Sequence, residues 1–138
     1  MGYVTVLTHP ERLTWIEEHY DRICRIGEAG GWMQITAGAL TGRFGRRPQY
    51  WAERMVDEGR VHILATDAHN LGRRAPILSE GREAAARRLG DAEAENMTLI
   101  RPQGILDNTP PDRLPALKPA VTWRRYFSRF FSKSQGHA

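Results

Sequence analysis

A chain of 138 residues with 41% hydrophobic and 26% charged side chains is expected to be soluble and globular, with apolar content for one core. The formal net charge of +4 is basic but short of the excess of a nucleic-acid-binding arm, and one cysteine, Cys24, excludes an internal disulfide and suits a reducing cytoplasm. No stretch approaches the roughly 18 apolar residues of a membrane-spanning helix, and Met1 to Leu7 lacks the basic and apolar regions of a signal peptide.

In chain order, Tyr3-Val4-Thr5-Val6-Leu7 is a β-rich run that stops at Thr8-His9-Pro10-Glu11-Arg12, which puts His9 at a strand's C-terminal edge. From Thr14, the expected N-cap, to Ala29, the residues Ile16, Tyr20, Ile23 and Ile26 recur at helical spacing, and Gly30-Gly31 ends that helix. Within it Cys24 reads as an inert structural thiol and His19 as a solvated side chain. Trp32 to Thr36 is the next strand, followed by small, flexible Ala37-Gly38 and the basic loop Thr41-Gly42-Arg43-Phe44-Gly45-Arg46-Arg47. That loop lacks the G-x-x-x-x-G-K-S/T pattern of a nucleotide-binding glycine loop. It is expected to be solvated, with phosphate or an acidic peptide as its functional alternatives.

Pro48 starts a second helix with Trp51, Met55 and Val56 on one face, ended by Gly59. The third strand runs from Val61 to Ala65, where His62 is expected at the surface or in packing. Past the loop Asn70 to Arg74, Pro76 leads into a helix through Leu89 that Gly90 stops. Asp91 is placed to cap a shorter helix to about Leu99, and Pro102 opens a turn around Ile105-Leu106. Pro110, Pro111, Pro115 and Pro119 mark 109–121 as a linker. Alternation of strand and helix predicts an α/β fold with a parallel sheet or barrel.

The chemistry gathers at two strand ends. Val61 to Ala65 is apolar, and Thr66-Asp67-Ala68-His69 is abruptly polar. Strand C-termini are where α/β folds place their sites. With strand geometry carried through Ala68, Asp67 and His69 point into one cleft, and His9 occupies the matching position on the first strand. Carboxylate and imidazole suit manganese, iron or zinc, and guanidinium groups such as Arg12 and Arg74, in the loops just beyond, grip phosphate oxygens in pairs. A metal-activated water attacking phosphorus is the reaction such a set suggests. The plainer readings are a loop hydrogen-bonder at His9, a cap at Asp67 and His69, and a structural Glu11 paired with a neighbouring arginine.

His9-Pro10-Glu11-Arg12, Gln34-Ile35-Thr36-Ala37-Gly38, Gly42-Arg43-Phe44-Gly45 and Asp67-Ala68-His69-Asn70, in that order, resemble successive motifs of one family. It is the bacterial metal-dependent tyrosine phosphatase of capsule and exopolysaccharide synthesis, within the polymerase-and-histidinol-phosphatase (PHP) superfamily. The resemblance runs from about Tyr3 to Asn108. It implies the C-terminal half of a distorted (β/α) barrel of PHP type, with divalent ions, typically manganese (Mn2+), at its C-terminal face. By motif position His9, Asp67 and His69 resemble metal ligands, and Arg12, Arg74 and Arg43 resemble substrate-binding arginines. The implied substrate is phosphotyrosine in the tail of a membrane-associated tyrosine kinase.

The family opens with a His-x-His strand and further ligands before the segment equivalent to Tyr3, and this sequence has no counterpart to them. A fragment or mis-called start, a split gene whose partner supplies the first half, and a decayed pseudo-enzyme each account for that, and a homo-oligomer is the other partnership expected. The rival functions are a non-catalytic interaction module and another phosphoesterase of the superfamily. Residues 122–138 form a basic aromatic tail in which Trp123, Phe127, Phe130 and Phe131 share one helical face. That pattern suits an anionic membrane surface and a cytoplasmic protein at the inner face of the membrane, with a disordered or protein-docking tail as the alternative. His137 there is expected to be solvated.

Overall fold

Each of the three apolar runs pairs with the next. In the computed structural model, which describes residues 2–118, β1 (Val6–Thr8), β2 (Trp32–Thr36) and β3 (Ile63–Ala65) form a parallel sheet in the order β1-β2-β3. Val6 lies opposite Trp32, and Gln34 opposite Ile63. Parallel neighbours need long crossovers. The first is α1 (Ile16–Glu28), and the second combines α2 (Ala37–Leu40) with α3 (Arg46–Asp57). As the central strand, β2 is covered on both sides, and Met33 and Ile35 are fully buried. β1 is an edge strand with Val4 and Val6 exposed.

The core is built from Ile16 and Ile23 of α1, Met33 and Ile35 of β2, Met55 and Val56 of α3, Leu64 of β3 and Met97. α1 and α3 meet through Tyr20 and Trp51, whose rings lie 5.0 Å apart. Below them, α4 (Ser79–Leu89) and α5 (Asp91–Glu95) pack together. A widened π turn at Asn96–Ile100 then continues into α6 (Arg101–Leu106).

Several sequence-based boundaries shift. β1 begins at Val6 rather than Tyr3, and β3 at Ile63 rather than Val61, where the paired register with β2 starts, although the Thr5 carbonyl and the His62 N–H already bond to Trp32 and Met33. α1 starts after Trp15, and Thr14 makes no cap bond. Ala37-Gly38 is helical, capped by the Thr36 hydroxyl, which accepts from the Ala39 N–H at 3.3 Å. Pro102 sits in the first turn of α6, directly after the widened turn Asn96–Ile100, and the helix continues through it instead of turning.

The stretch read as a linker folds back up to Lys118. Leu114 packs over Gly104, and the Arg101 guanidinium holds the carbonyls of Pro115 and Ala116. The sheet has three strands among the described residues and closes no barrel there. The basic aromatic tail, with its expected lipid-facing helix, lies outside the described residues.

Candidate active site

Both strand ends finish in left-handed backbone. His9 follows β1 with φ 41°, and Asp67 follows β3 with φ 51°. Non-glycine residues rarely adopt this region, although His and Asp are enriched there, and such outliers cluster at functional sites. At His9 the backbone N–H donates to the Gln34 carbonyl at 2.7 Å, which extends the ladder one step before the chain turns into the 3-10 turn Pro10–Arg12.

Glu11 fastens that turn. It is fully buried, and its Oε1 accepts from the Thr36 N–H at 2.9 Å and the Thr36 hydroxyl at 2.7 Å. Burial pushes its carboxyl up from the ordinary range against the downward pull of those Thr36 bonds, and Oε2 has no partner among the described residues. The sequence-based expectation of an arginine partner is therefore corrected. The arginine next door points into the cleft, and the end of β2 supplies the donors.

The loop after β3 is tied by its own side chain. Asn70 Oδ1 accepts from the N–H groups of Gly72 at 2.9 Å and Arg74 at 3.1 Å, while the His69 N–H reaches the Arg74 carbonyl at 3.0 Å. This closure turns the Arg74 guanidinium back onto Asp67. Asp67 Oδ2 accepts from Arg12 Nη1 at 3.2 Å and from Arg74 Nη2. Two arginines from opposite loops thus share one carboxylate oxygen. Arg74 Nε is buried with no acceptor among the described residues.

The expectation that Asp67 and His69 project in parallel from a continuing strand is not met. β3 ends at Ala65, and it is the left-handed turn at Asp67, not a continuing strand, that leaves His69 Nδ1 3.9 Å from Asp67 Oδ1. His69 Nδ1 lies 2.7 Å from the Asp67 backbone carbonyl. A carbonyl only accepts, so Nδ1 carries a proton, and in the neutral ring the lone pair lies on Nε2.

His9, Arg12, Leu13, Asp67, His69 and Arg74 nevertheless line one cleft of about 340 Å³. Arg43 lies elsewhere, donating to Glu80 at 2.8 Å. Of the remaining histidines, His62 packs face to face on Trp32 (4.9 Å between ring centres) and His19 lies beside Trp15.

Two imidazoles and a carboxylate are suitable donors for a divalent ion. Among the described residues, however, no three His, Cys, Asp or Glu side chains stand close enough to hold one. Asp67 also faces two cations that compete with any metal. The described residues bring two imidazoles, a carboxylate and two arginines to one cleft and form no closed metal centre there.

Comparison with known proteins bears on the rest of that centre. Residues 1–107 match the family described as capsular polysaccharide synthesis, CpsB/CapC. The tyrosine-protein phosphatase YwqE of Bacillus subtilis is 39% identical over 70 residues, covering 51% of this chain and 28% of YwqE. The tyrosine-protein phosphatase CpsB of Streptococcus agalactiae is 30% identical over 117 residues, covering 78% of this chain and 46% of CpsB. The fold superposes with a TM-score of 0.73 and 27% identity on a structure from work on YwqE and Streptococcus pneumoniae CpsB, described as metal-dependent tyrosine phosphatases, over 86% of this chain and 47% of that one. The chain therefore spans less than half the length of the relatives it matches. With its residues 1–107 inside the family's pattern and its fold shared, the chain belongs to the CpsB/CapC family of capsular polysaccharide synthesis.

Proposed function

We propose that this chain forms one wall of a metal-dependent phosphotyrosine phosphatase centre. One observation carries the reading: His9, Arg12, Asp67, His69 and Arg74, from two loops far apart in sequence, line a single cleft at the C-terminal end of a parallel sheet. Arg12 and Arg74 hold the phosphate, since their guanidinium groups already converge on a carboxylate oxygen, the nearest internal mimic of a phosphate oxygen. His9, Asp67 and His69 are this chain's share of the ligands for the ion, for which we propose Mn2+. The remaining donors come from polypeptide equivalent to the part of YwqE and CpsB that this chain does not span. The substrate we propose is the phosphotyrosine tail of a membrane-associated tyrosine kinase, met on the cytoplasmic face, with residues 122–138 drawing the protein to anionic lipid.

The test is manganese-dependent hydrolysis of a phosphotyrosine peptide, assayed for the chain alone and mixed with the part of YwqE outside its match. Turnover is expected in the mixture. It should be lost in Asp67→Ala and His69→Ala, and reduced about 10²-fold or more in Arg12→Ala and Arg74→Ala. An inert mixture beside an active intact YwqE leaves the second reading, a non-catalytic phosphate-binding module, which the pairing of Asp67 with both arginines favours.

A further inference from the structure

Arg12 and Arg74 stand between two clefts. Besides the strand-end cleft they line a second one of about 970 Å³, whose other walls include Arg43, Phe44, Arg73 and Ile77. Among the described residues no carboxylate lines it, so its lining charge is entirely positive. The Phe44 ring is fixed in place. It packs so closely on Gly38 that a Cβ there would come within 2.7 Å, and it carries the Arg12 guanidinium 5.1 Å above its centre. Arg43 is partly neutralised by Glu80, whereas Arg73 is exposed and has no carboxylate partner among the described residues.

We propose that this second cleft receives the peptide around the phosphotyrosine and selects acidic residues flanking it, through Arg73 with Arg43 in support. The proposal rests on Arg12 and Arg74 as the phosphate holders. With the phosphate at that boundary, the tyrosine ring leaves toward Phe44 and Ile77, and the adjoining peptide crosses the arginines beyond. An apolar wall next to the unpaired Arg73 and the partly neutralised Arg43 suits an aromatic residue among carboxylates. The same electrostatics disfavours a lysine-rich flank.

Fluorescence anisotropy with the full 138-residue chain tests it, using two phosphotyrosyl peptides that differ only in Glu or Gln on both sides of the phosphotyrosine. The Glu peptide should bind about 5-fold tighter at low ionic strength, with the advantage shrinking as salt rises. Arg73→Glu, at an exposed position, should make the Gln peptide the better ligand, with an unchanged circular dichroism spectrum verifying the fold. Equal affinities for the two peptides, or a Glu preference unaltered in Arg73→Glu, overturns the proposal. Failure of the phosphatase reading shows separately. The unphosphorylated Glu peptide would then bind as well as the phosphorylated one, while the contrast between flanks would persist.

Discussion

His62 uses a ring nitrogen where its neighbours use backbone. Its N–H donates to the Met33 carbonyl at 2.9 Å, and the Met33 N–H donates back to Nδ1 of the ring at 3.1 Å. A ring nitrogen accepting that bond carries no proton, and burial, aided by nearby Arg101, lowers the His62 pKa from 6.5 to about 4. The unfolded chain therefore binds a proton that the folded one excludes. Stability is unaffected by this group above pH 6.5, falls as the pH drops from 6.5 to about 4, and loses no more below. His62→Gln keeps an acceptor for Met33 and does not titrate. Urea denaturation at pH 7.5 and 4.5 should show a smaller acid loss in this variant than in the parent, and equal losses would refute the assignment. At this scale the sequence grouped His9, Arg12, Asp67, His69 and Arg74, which line one cleft, because polar groups follow the apolar runs abruptly there. It did not show Glu11 anchored on Thr36, since that partnership exists only after β1 and β2 pair.

Elements with a clear period were legible, and those set by close packing were not. α1 and α3 follow their apolar spacing, and α1, α3 and α4 end within a few residues of their glycine stops. α2 was missed because Ala37-Gly38-Ala39-Leu40 has no polar face to read; all four are buried. Its capping residue, Thr36, was the available signal. The small side chains of α2 matter because α4 comes very near: a Cβ on Gly81 would lie 2.5 Å from the Ala37 Cβ and 3.0 Å from its Cα. Alanine normally gains about 1 kcal/mol over glycine inside a helix. Here Gly81→Ala is expected to be destabilising, because overpacking against backbone costs about 1–3 kcal/mol. Thermal denaturation measures it, and a raised midpoint would show that α4 can slide. A displaced α4 would also disturb Leu64, which touches Gly81 just before the Asp67 turn.

Across the whole molecule, one buried cation joins the parts that no strand connects. Arg101 is fully buried and pairs with Glu93, itself 2% exposed, at 2.8 Å. It also donates to the carbonyls of His62 at 3.1 Å, Pro115 at 2.9 Å and Ala116 at 3.0 Å. A buried guanidinium is tolerated when its donors are occupied, and removing one partner of such a pair costs about 3–5 kcal/mol. Arg101→Ala should lower the urea midpoint accordingly, and a shift below about 1 kcal/mol would mean that water replaces the lost partners. Nothing near Leu99-Ile100-Arg101-Pro102 announced this, since its acceptors lie up to 39 residues away along the chain.

The same guanidinium decides where the molecule can be cut. The family's sequence pattern ends at residue 107, yet two of the carbonyls that satisfy Arg101 belong to Pro115 and Ala116. A fragment trimmed to residue 107 would take two acceptors from that buried cation, so it is expected to be less stable than one that extends through Ala116.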